Sequence, residues 1–299
     1  MNCTRPVVAV DYGIDENGKH RIKILPKRAD RNLDYLRSLY GNMLMLLPCG
    51  SCINCRTSRA KDWSNRLFLE SLEHENNYFI TLTYDDYHCP KDLVKAHVQN
   101  FIKNIRNSGY SCRYFVAGEY GDRSLRPHYH ILLFGLKLID LEFFSESEGN
   151  KFYTSDFIAS YWKYGNHLIA EMTPETICYT ARYCTKKINN PDYKKEFILM
   201  SRRPGIGFHY LETHLQELIT DEKMYLGEYG VKGFSRYIKE FIKNRYPAEY
   251  EKMSAKNKDD ASIRLLHQRL NLRKNEDAII ECEHDISKRR EYRSKLREI

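Results

Sequence analysis

No apolar run in this 299-residue chain is long enough to span a bilayer, and Met1-Asn2-Cys3-Thr4-Arg5-Pro6 has no apolar core of the export-signal kind. A membrane-embedded or secreted protein is therefore not expected. Internal repeats and low-complexity segments are also missing, which sets aside solenoids and disordered arrays. There is no glycine-rich phosphate loop, so any helicase would be a separate chain. What the chain has in quantity is positive charge and rings: a formal net charge of +8, 23 tyrosines and 13 phenylalanines. Cations meet phosphates and rings stack on bases, so this balance suits nucleic acid. The length allows one large or two ordinary domains with a real core. Nine cysteines, an odd number without an export signal, fit reduced thiols or metal ligands in a cytosol better than a disulfide framework.

The most informative stretch is Arg126-Pro127-His128-Tyr129-His130, followed by Ile131-Leu132-Leu133-Phe134-Gly135. It reads as a strand with Pro127 tolerated at its start. Alternation puts His128 and His130 on one face and Tyr129 on the other, so the two imidazoles can share a metal ion. Residues 113–120 read as the preceding strand of a long-looped hairpin. In one register Glu119 faces His128 and Ala117 faces His130, which adds a carboxylate and leaves room for ion and substrate. The glutamate that a cupin-like oxygenase would need shortly after the His pair does not occur in residues 131–135.

A second cluster is Cys49-Gly50-Ser51-Cys52-Ile53-Asn54-Cys55. Three thiolates on a glycine-containing turn can wrap a soft cation, and zinc needs four ligands. Cys3, Cys89 and His74 are the candidates for the fourth, and an iron–sulfur cluster is chemically open as well.

Helical periodicity is expected over residues 56–74, with Arg56, Arg59, Lys61 and Arg66 along it, and over 92–107, with Asp92 as N-cap. Residues 78–84 read as a strand, 154–164 as a helix, and 167–172 as another strand. Thr173-Pro174-Glu175 opens a helix with Thr173 as cap and Pro174 at its first position. That helix carries Tyr179, Arg182 and Tyr183, the two phenols one turn apart on a shared face, with Lys186 and Lys187 just beyond. Residues 201–207 form a basic, glycine-bearing loop in which Arg202 and Arg203 are candidates for gripping phosphates, as are Arg126 and Arg182. A helix over 233–245 precedes a densely charged tail with sparse apolar residues such as Leu265 and Ile280, read as one or two exposed helices.

These parts suggest one chemistry. A phenol is a poor nucleophile at neutral pH, because its pKa lies near 10. A divalent ion on a phosphate oxygen removes the charge that repels the attacking oxygen, and a nearby lysine favours phenolate. The product would be a phosphotyrosine ester with a free 3′ hydroxyl, ready to rejoin.

The run Pro127-His128-Tyr129-His130 resembles the His–hydrophobic–His motif of the HUH endonucleases. More narrowly, the chain is similar to replication initiators of gokushovirus-type single-stranded DNA phages. Phe79-Ile80-Thr81-Leu82-Thr83 is similar to that family's first motif, and Tyr179-x-x-x-Tyr183-x-x-Lys186 to its third. Gly118-Glu119-Tyr120-Gly121, Cys49 to Arg56 with Trp63, and Ser201 to Gly207 also look like the phage group. The resemblance spans about residues 1–210. It implies an α+β fold with a central antiparallel β-sheet flanked by helices, and a metal site of His128, His130 and an acidic residue, for which Glu119 is the choice. Imidazole ligands tilt that site toward Mn²⁺ over Mg²⁺. It further implies Tyr179 and Tyr183 as nucleophiles, assisted by Lys186 or Lys187, and Cys3 as the fourth thiolate of a structural Zn²⁺ site with Cys49, Cys52 and Cys55. The implied function is a two-tyrosine nickase that starts rolling-circle replication on single-stranded origin DNA in the cytoplasm of a host bacterium, alongside host helicase and polymerase. An HUH transposase or relaxase, or a zinc-stabilised single-strand-binding protein without catalysis, are the alternatives. The expected organisation is an N-terminal segment with the cysteine cluster over residues 1–60, an endonuclease core over 61–220 and a charged helical region over 221–299.

Overall fold

A computed structural model describes residues 3–26, 32–121, 124–183, 192–221, 224–225, 231–232 and 234–256. The chain divides into two compact units, the boundary falling between Ser58 and Arg59. Lys186 and Lys187 lie outside the described residues; of the charged tail expected to be helical from Ala248 onward, residues 247–256 are helical and those from 257 lie outside the described residues. Among the described residues, no helix is long and apolar enough to cross a membrane.

In the first unit, β1 (Val7–Ile14) pairs antiparallel with β2 (His20–Ile24) on one side and with β3 (Leu44–Leu47) on the other. The short helix α1 (Leu33–Tyr40) precedes β3. In the sequence, Val7-Val8-Ala9-Val10 reads as a short strand and residues 13–19 as a polar turn, and the rest of residues 1–47 carries no clear signal. The helix α2 (Ile53–Leu72) begins here, and most of its length belongs to the second unit.

The second unit is built on a seven-stranded sheet. Its strands are β4 (Asn77–Thr83), β5 (Arg113–Tyr120), β6 (Pro127–Phe134), β7 (Leu141–Ser147), β8 (Asn150–Ser155), β9 (His167–Glu171) and β10 (Phe197–Met200). Their order across the sheet is β10-β5-β6-β4-β9-β8-β7, and every neighbouring pair is antiparallel. The helices are α3 (Lys95–Asn107), α4 (Asp156–Tyr161), α5 (Pro174–Tyr183), α6 (Phe208–Asp221) and α7 (Arg236–Arg245). The short strands Met224–Tyr225 and Val231–Lys232 pair with each other.

Alternation along the strands sorts the side chains into two faces. Tyr129, Ile131 and Leu133 of β6 join Val116 of β5 in a core closed by Phe101, Ile102 and Ile105 of α3 and by Ile158 and Trp162. On the other face Leu132, Phe134 and Phe115 meet Leu67 of α2 and Ile177 and Ala181 of α5. Both faces of β6 are therefore apolar, as a strand buried on two sides requires. His128 and His130 continue the second face toward the N-terminal end of β6.

Two local expectations are corrected. Asp92 does not cap α3: the cap position is Val94, without a side-chain bond. The Asp92 carboxylate instead accepts from the Lys194 amide at 3.0 Å. Residues 150–155, partly assigned to a helix, form β8, and only Asp156–Tyr161 is helical, with Ser155 as cap. Leu211, Leu215 and Leu218 of α6, Ile238 and Ile242 of α7 and Met253 pack together with Leu69 of α2.

Candidate active site

Strand β6 lies between β5 and β4, so each histidine has a residue from both neighbours beside it. The register places Glu119 opposite His128 and Ala117 opposite His130 on one side, and Thr83 and Thr81 opposite them on the other. This is the hairpin register expected from alternation. Tyr129, between the two histidines, points into the opposite core, where its hydroxyl meets that of Tyr84 at 2.8 Å and donates to the Val94 carbonyl at 3.1 Å. That anchor fixes the strand's rotation and hence the direction of both imidazoles.

Nε2 of His128 lies 2.7 Å and Nε2 of His130 2.9 Å from the same oxygen, Oε1 of Glu119. Both outer nitrogens are held too: His128 Nδ1 is 3.2 Å from the Arg126 carbonyl, and His130 Nδ1 is 3.1 Å from the Thr81 hydroxyl. A carbonyl can only accept, so His128 Nδ1 carries a proton. A neutral His128 then turns the lone pair of Nε2 toward a carboxylate oxygen, and only a second ring proton or a shared cation relieves that meeting. Outward Nδ1–H and inward Nε2 is also the arrangement of a metal-bound histidine held by its outer partner. Burial pushes the Glu119 carboxyl up, but the hydrogen bonds from His128 and His130 outweigh it and hold the group below the usual carboxylate range. A buried carboxylate kept ionised beside two imidazoles fits a divalent cation, and the three donor atoms lie within 4.8 Å of one another.

Both phenols come to this place. α5 starts where expected, with the Thr173 hydroxyl accepting from the Thr176 amide at 3.3 Å and the Thr176 hydroxyl from the Thr173 amide at 2.9 Å. Ile177 and Ala181 anchor α5 in the sheet core, and Tyr179 and Tyr183 both meet His130. The Tyr183 ring stacks on His130 with centroids 5.5 Å apart, and Tyr179 meets it edge-on at 5.3 Å. The two phenol rings are 4.8 Å apart. Tyr179 is exposed, so its position is open to a large substrate.

The arginines are scattered. Arg182 is exposed, with its guanidinium carbon 5.8 Å from the Tyr179 ring centre. Arg126 is engaged by the Asp86 carboxylate at 2.6 Å and the Tyr84 carbonyl at 3.0 Å. Exposed Arg202 and Arg203 follow β10, which pairs Phe197 with Gly118 and Met200 with Phe115 and so leads away from Glu119. With Ser201 bonded to Tyr114, five residues down β5 from Glu119, they lie roughly 17 Å or more along the strand direction from the trio. Any phosphate they bind is far from the histidines.

Thr81 and Phe79, which the sequence marks only as part of a motif and gives no role, also line the site, and the Phe79 ring stacks on His130 at 5.3 Å. Both fall on the histidine face by alternation within β4, a signal usable only once β4 is known to pair with β6.

In the first unit the sulfurs of Cys3, Cys49, Cys52 and Cys55 lie within 4.8 Å of one another, and all four thiols are free. Of the three candidates for a fourth ligand, Cys3 is the one brought in. The Ser51 hydroxyl, burial notwithstanding, helps hold the Cys49 thiol down at about 6, whereas burial and the neighbouring thiols push Cys55 up to about 12.

The profile of the replication-associated protein ORF2 family matches residues 77–188, the span from β4 to the end of α5 and just beyond. The chain is 31% identical over 272 residues to replication-associated protein ORF2 of Spiroplasma virus 4, covering 84% of this chain and 82% of that protein. It is 30% identical over 271 residues to replication-associated protein VP4 of Bdellovibrio phage phiMH2K, covering 86% and 82%. With replication-associated protein ORF4 of Chlamydia phage 1 the identity is 28% over 214 residues, or 66% of this chain and 53% of that one. No solved structure matches. A sheet that carries the histidines and a helix that carries the phenols thus fall within the matched span, and the chain belongs to the replication-associated protein family of Microviridae-type phages.

Proposed function

We propose that this protein is a metal-dependent HUH endonuclease that nicks single-stranded origin DNA and rejoins it during rolling-circle replication. The observation that carries the reading is the contact of both phenol rings with His130, beside the Glu119–His128 pair. Glu119, His128 and His130 would hold Mn²⁺ or Mg²⁺, which when bound supplies Lewis-acid polarisation of the scissile phosphate. One phenol gives up its proton and its oxygen forms an ester bond to phosphorus. The bond from phosphorus to the 3′ oxygen breaks, and that oxygen takes a proton to leave a free 3′ hydroxyl. Attack by the 3′ hydroxyl of a strand end on the phosphotyrosine reverses the step and rejoins DNA. The second phenol, against the same imidazole, can open the next junction while the first is still esterified. Helicase and polymerase would be supplied by the host.

The test is to incubate the full chain with single-stranded origin DNA and Mn²⁺ or Mg²⁺ and look for a protein–DNA adduct that survives denaturation. The adduct is expected with metal and absent with chelator. DNA retardation without adduct under either metal would leave a binding module instead.

Thr81 is expected to act through His130. Thr81→Val keeps the β-branched shape that the strand favours but removes the hydroxyl beside Nδ1. Loss of such an outer partner lowers metal affinity or activity by roughly 10–100-fold. A Mn²⁺ titration of adduct formation should shift by that factor while the melting temperature stays close to that of the parent.

A further inference from the structure

The first unit has little of the apolar contact that usually holds a fold together. Among its described hydrophobic residues only Val8, Ala9 and Val10 are buried, whereas Tyr12, Ile14, Ile24, Tyr35 and Leu39 are exposed. Every residue of β2 is exposed and α1 buries none. Among the described residues the core of this unit is thus a single buried stripe on a three-stranded sheet, and units with so small a core depend on a covalent or metal staple.

The four cysteines can supply it. A disulfide is ruled out, since the sulfurs of Cys3 and Cys52 are 3.8 Å apart and those of Cys49 and Cys55 4.0 Å. Those separations are instead the edges of a tetrahedron: bonds of about 2.3 Å from zinc to four sulfurs give edges of about 3.8 Å. Backbone amides already point at the sulfurs. The Cys52 amide donates to Cys49 Sγ at 3.3 Å, and the Cys49 amide to Cys3 Sγ at 3.4 Å. Such donors stabilise thiolate charge around a metal. Cys3 arrives from 46 residues before Cys49, so closing this cluster ties the chain ahead of β1 to the turn after β3.

We propose that Cys3, Cys49, Cys52 and Cys55 hold one Zn²⁺ in a closed four-thiolate site, and that this ion, in place of an apolar core, keeps the first unit folded. Four protein donors leave no open position, so the site is structural. Thiolates select a soft cation and discriminate against Mg²⁺ and Mn²⁺, while Glu119 with two imidazoles suits the harder ion. The two metals therefore do not compete, and the zinc proposal stands or falls independently of the nicking chemistry.

The full chain purified without chelator is expected to contain one zinc, released as a mercurial reagent titrates four thiolates. Exchange of zinc for Co²⁺ should give the intense visible absorption of tetrahedral thiolate coordination. After zinc removal, amides of residues 7–47 should exchange about tenfold faster or more, while those of β4, β5 and β6 keep their protection. Cys3→Ser and Cys52→Ser should lose the zinc and that protection, whereas Cys89→Ser retains both. If either serine variant fails to accumulate, the parent chain with and without zinc decides the matter. Zinc-free protein with unchanged protection over 7–47, iron in place of zinc, or a Cys3→Ser chain that keeps its zinc would each overturn the proposal.

Discussion

With Tyr179 and Tyr183 both changed to phenylalanine, covalent adduct with origin DNA is expected to vanish, while either single change leaves part of it. The argument is geometric. Both rings touch His130, at 5.3 and 5.5 Å between centroids, so either phenol is placed to attack when the other is lost. Phenylalanine keeps the ring and its contacts and removes only the oxygen, so the loss would be chemical and the melting temperature should hardly move. His130→Ala is expected to fall as far, on the order of 10³-fold or more, because it removes a donor at the cation and the ring that both phenols rest on. Adduct formation on denaturing gels, scored against melting temperature for each variant, checks both statements. Adduct persisting undiminished in the double phenylalanine variant would defeat the reading.

The largest effect on stability is expected at Glu70, far from the trio. Its side chain is 1% exposed, and its carboxylate accepts from Arg113, from the Gly207 amide at 2.6 Å and from His74. Arg113 also donates to the carbonyls of Pro204 and Gly205 at 3.0 and 3.2 Å. One carboxylate thus joins α2, the first residue of β5 and the turn before α6. Glu70→Ala leaves the Arg113 charge without its partner in a largely buried place, which typically costs about 3–5 kcal/mol. Gly207 cannot readily be replaced beside it, since its φ is +75° and a Cβ would meet the Arg66 backbone oxygen at 2.9 Å.

The same carboxylate gives a pH dependence with a definite sign. Burial pushes the Glu70 carboxyl up, but its hydrogen bonds with His74, Arg113 and the Gly207 amide outweigh that and bring it down to about 2, from an ordinary 4.5. A carboxyl lowered by folding contributes stability that is fully present above the unfolded value and lost as pH falls toward the folded one. A difference of about 2.5 units corresponds to on the order of 3 kcal/mol. Urea unfolding should weaken steeply between pH 4.5 and 2, and Glu70→Gln should flatten that part of the curve.

What the sequence revealed was what depends on near neighbours. The β5–β6 hairpin register follows from alternation and from Glu119, His128 and His130 lying a few residues either side of one loop. The start of α5 follows from Thr173-Pro174, and its phenol face from spacing of one turn. Glu70 shows the other case. In the sequence it is one more charge on an amphipathic helix; besides His74 one turn on, its partners Arg113 and Gly207 lie 43 and 137 residues away, beyond any local pattern. Arg202 and Arg203 read as candidates for gripping phosphate from their basic, glycine-bearing loop, and only the direction of β10 tells how far that loop lies from the histidines. β2 and α1 are only five and eight residues long, too few repeats for their periodicity to stand out from its surroundings.

The hairpin has one more consequence. Gly121 and Arg126 close its loop with a backbone hydrogen bond of 3.0 Å, and Glu119, His128 and His130 all lie on the strand side of that latch. The cage for the cation and the loop above it are thus separable parts. A change in the length or charge of the chain between the latch points is therefore expected to leave the three donor atoms where they are.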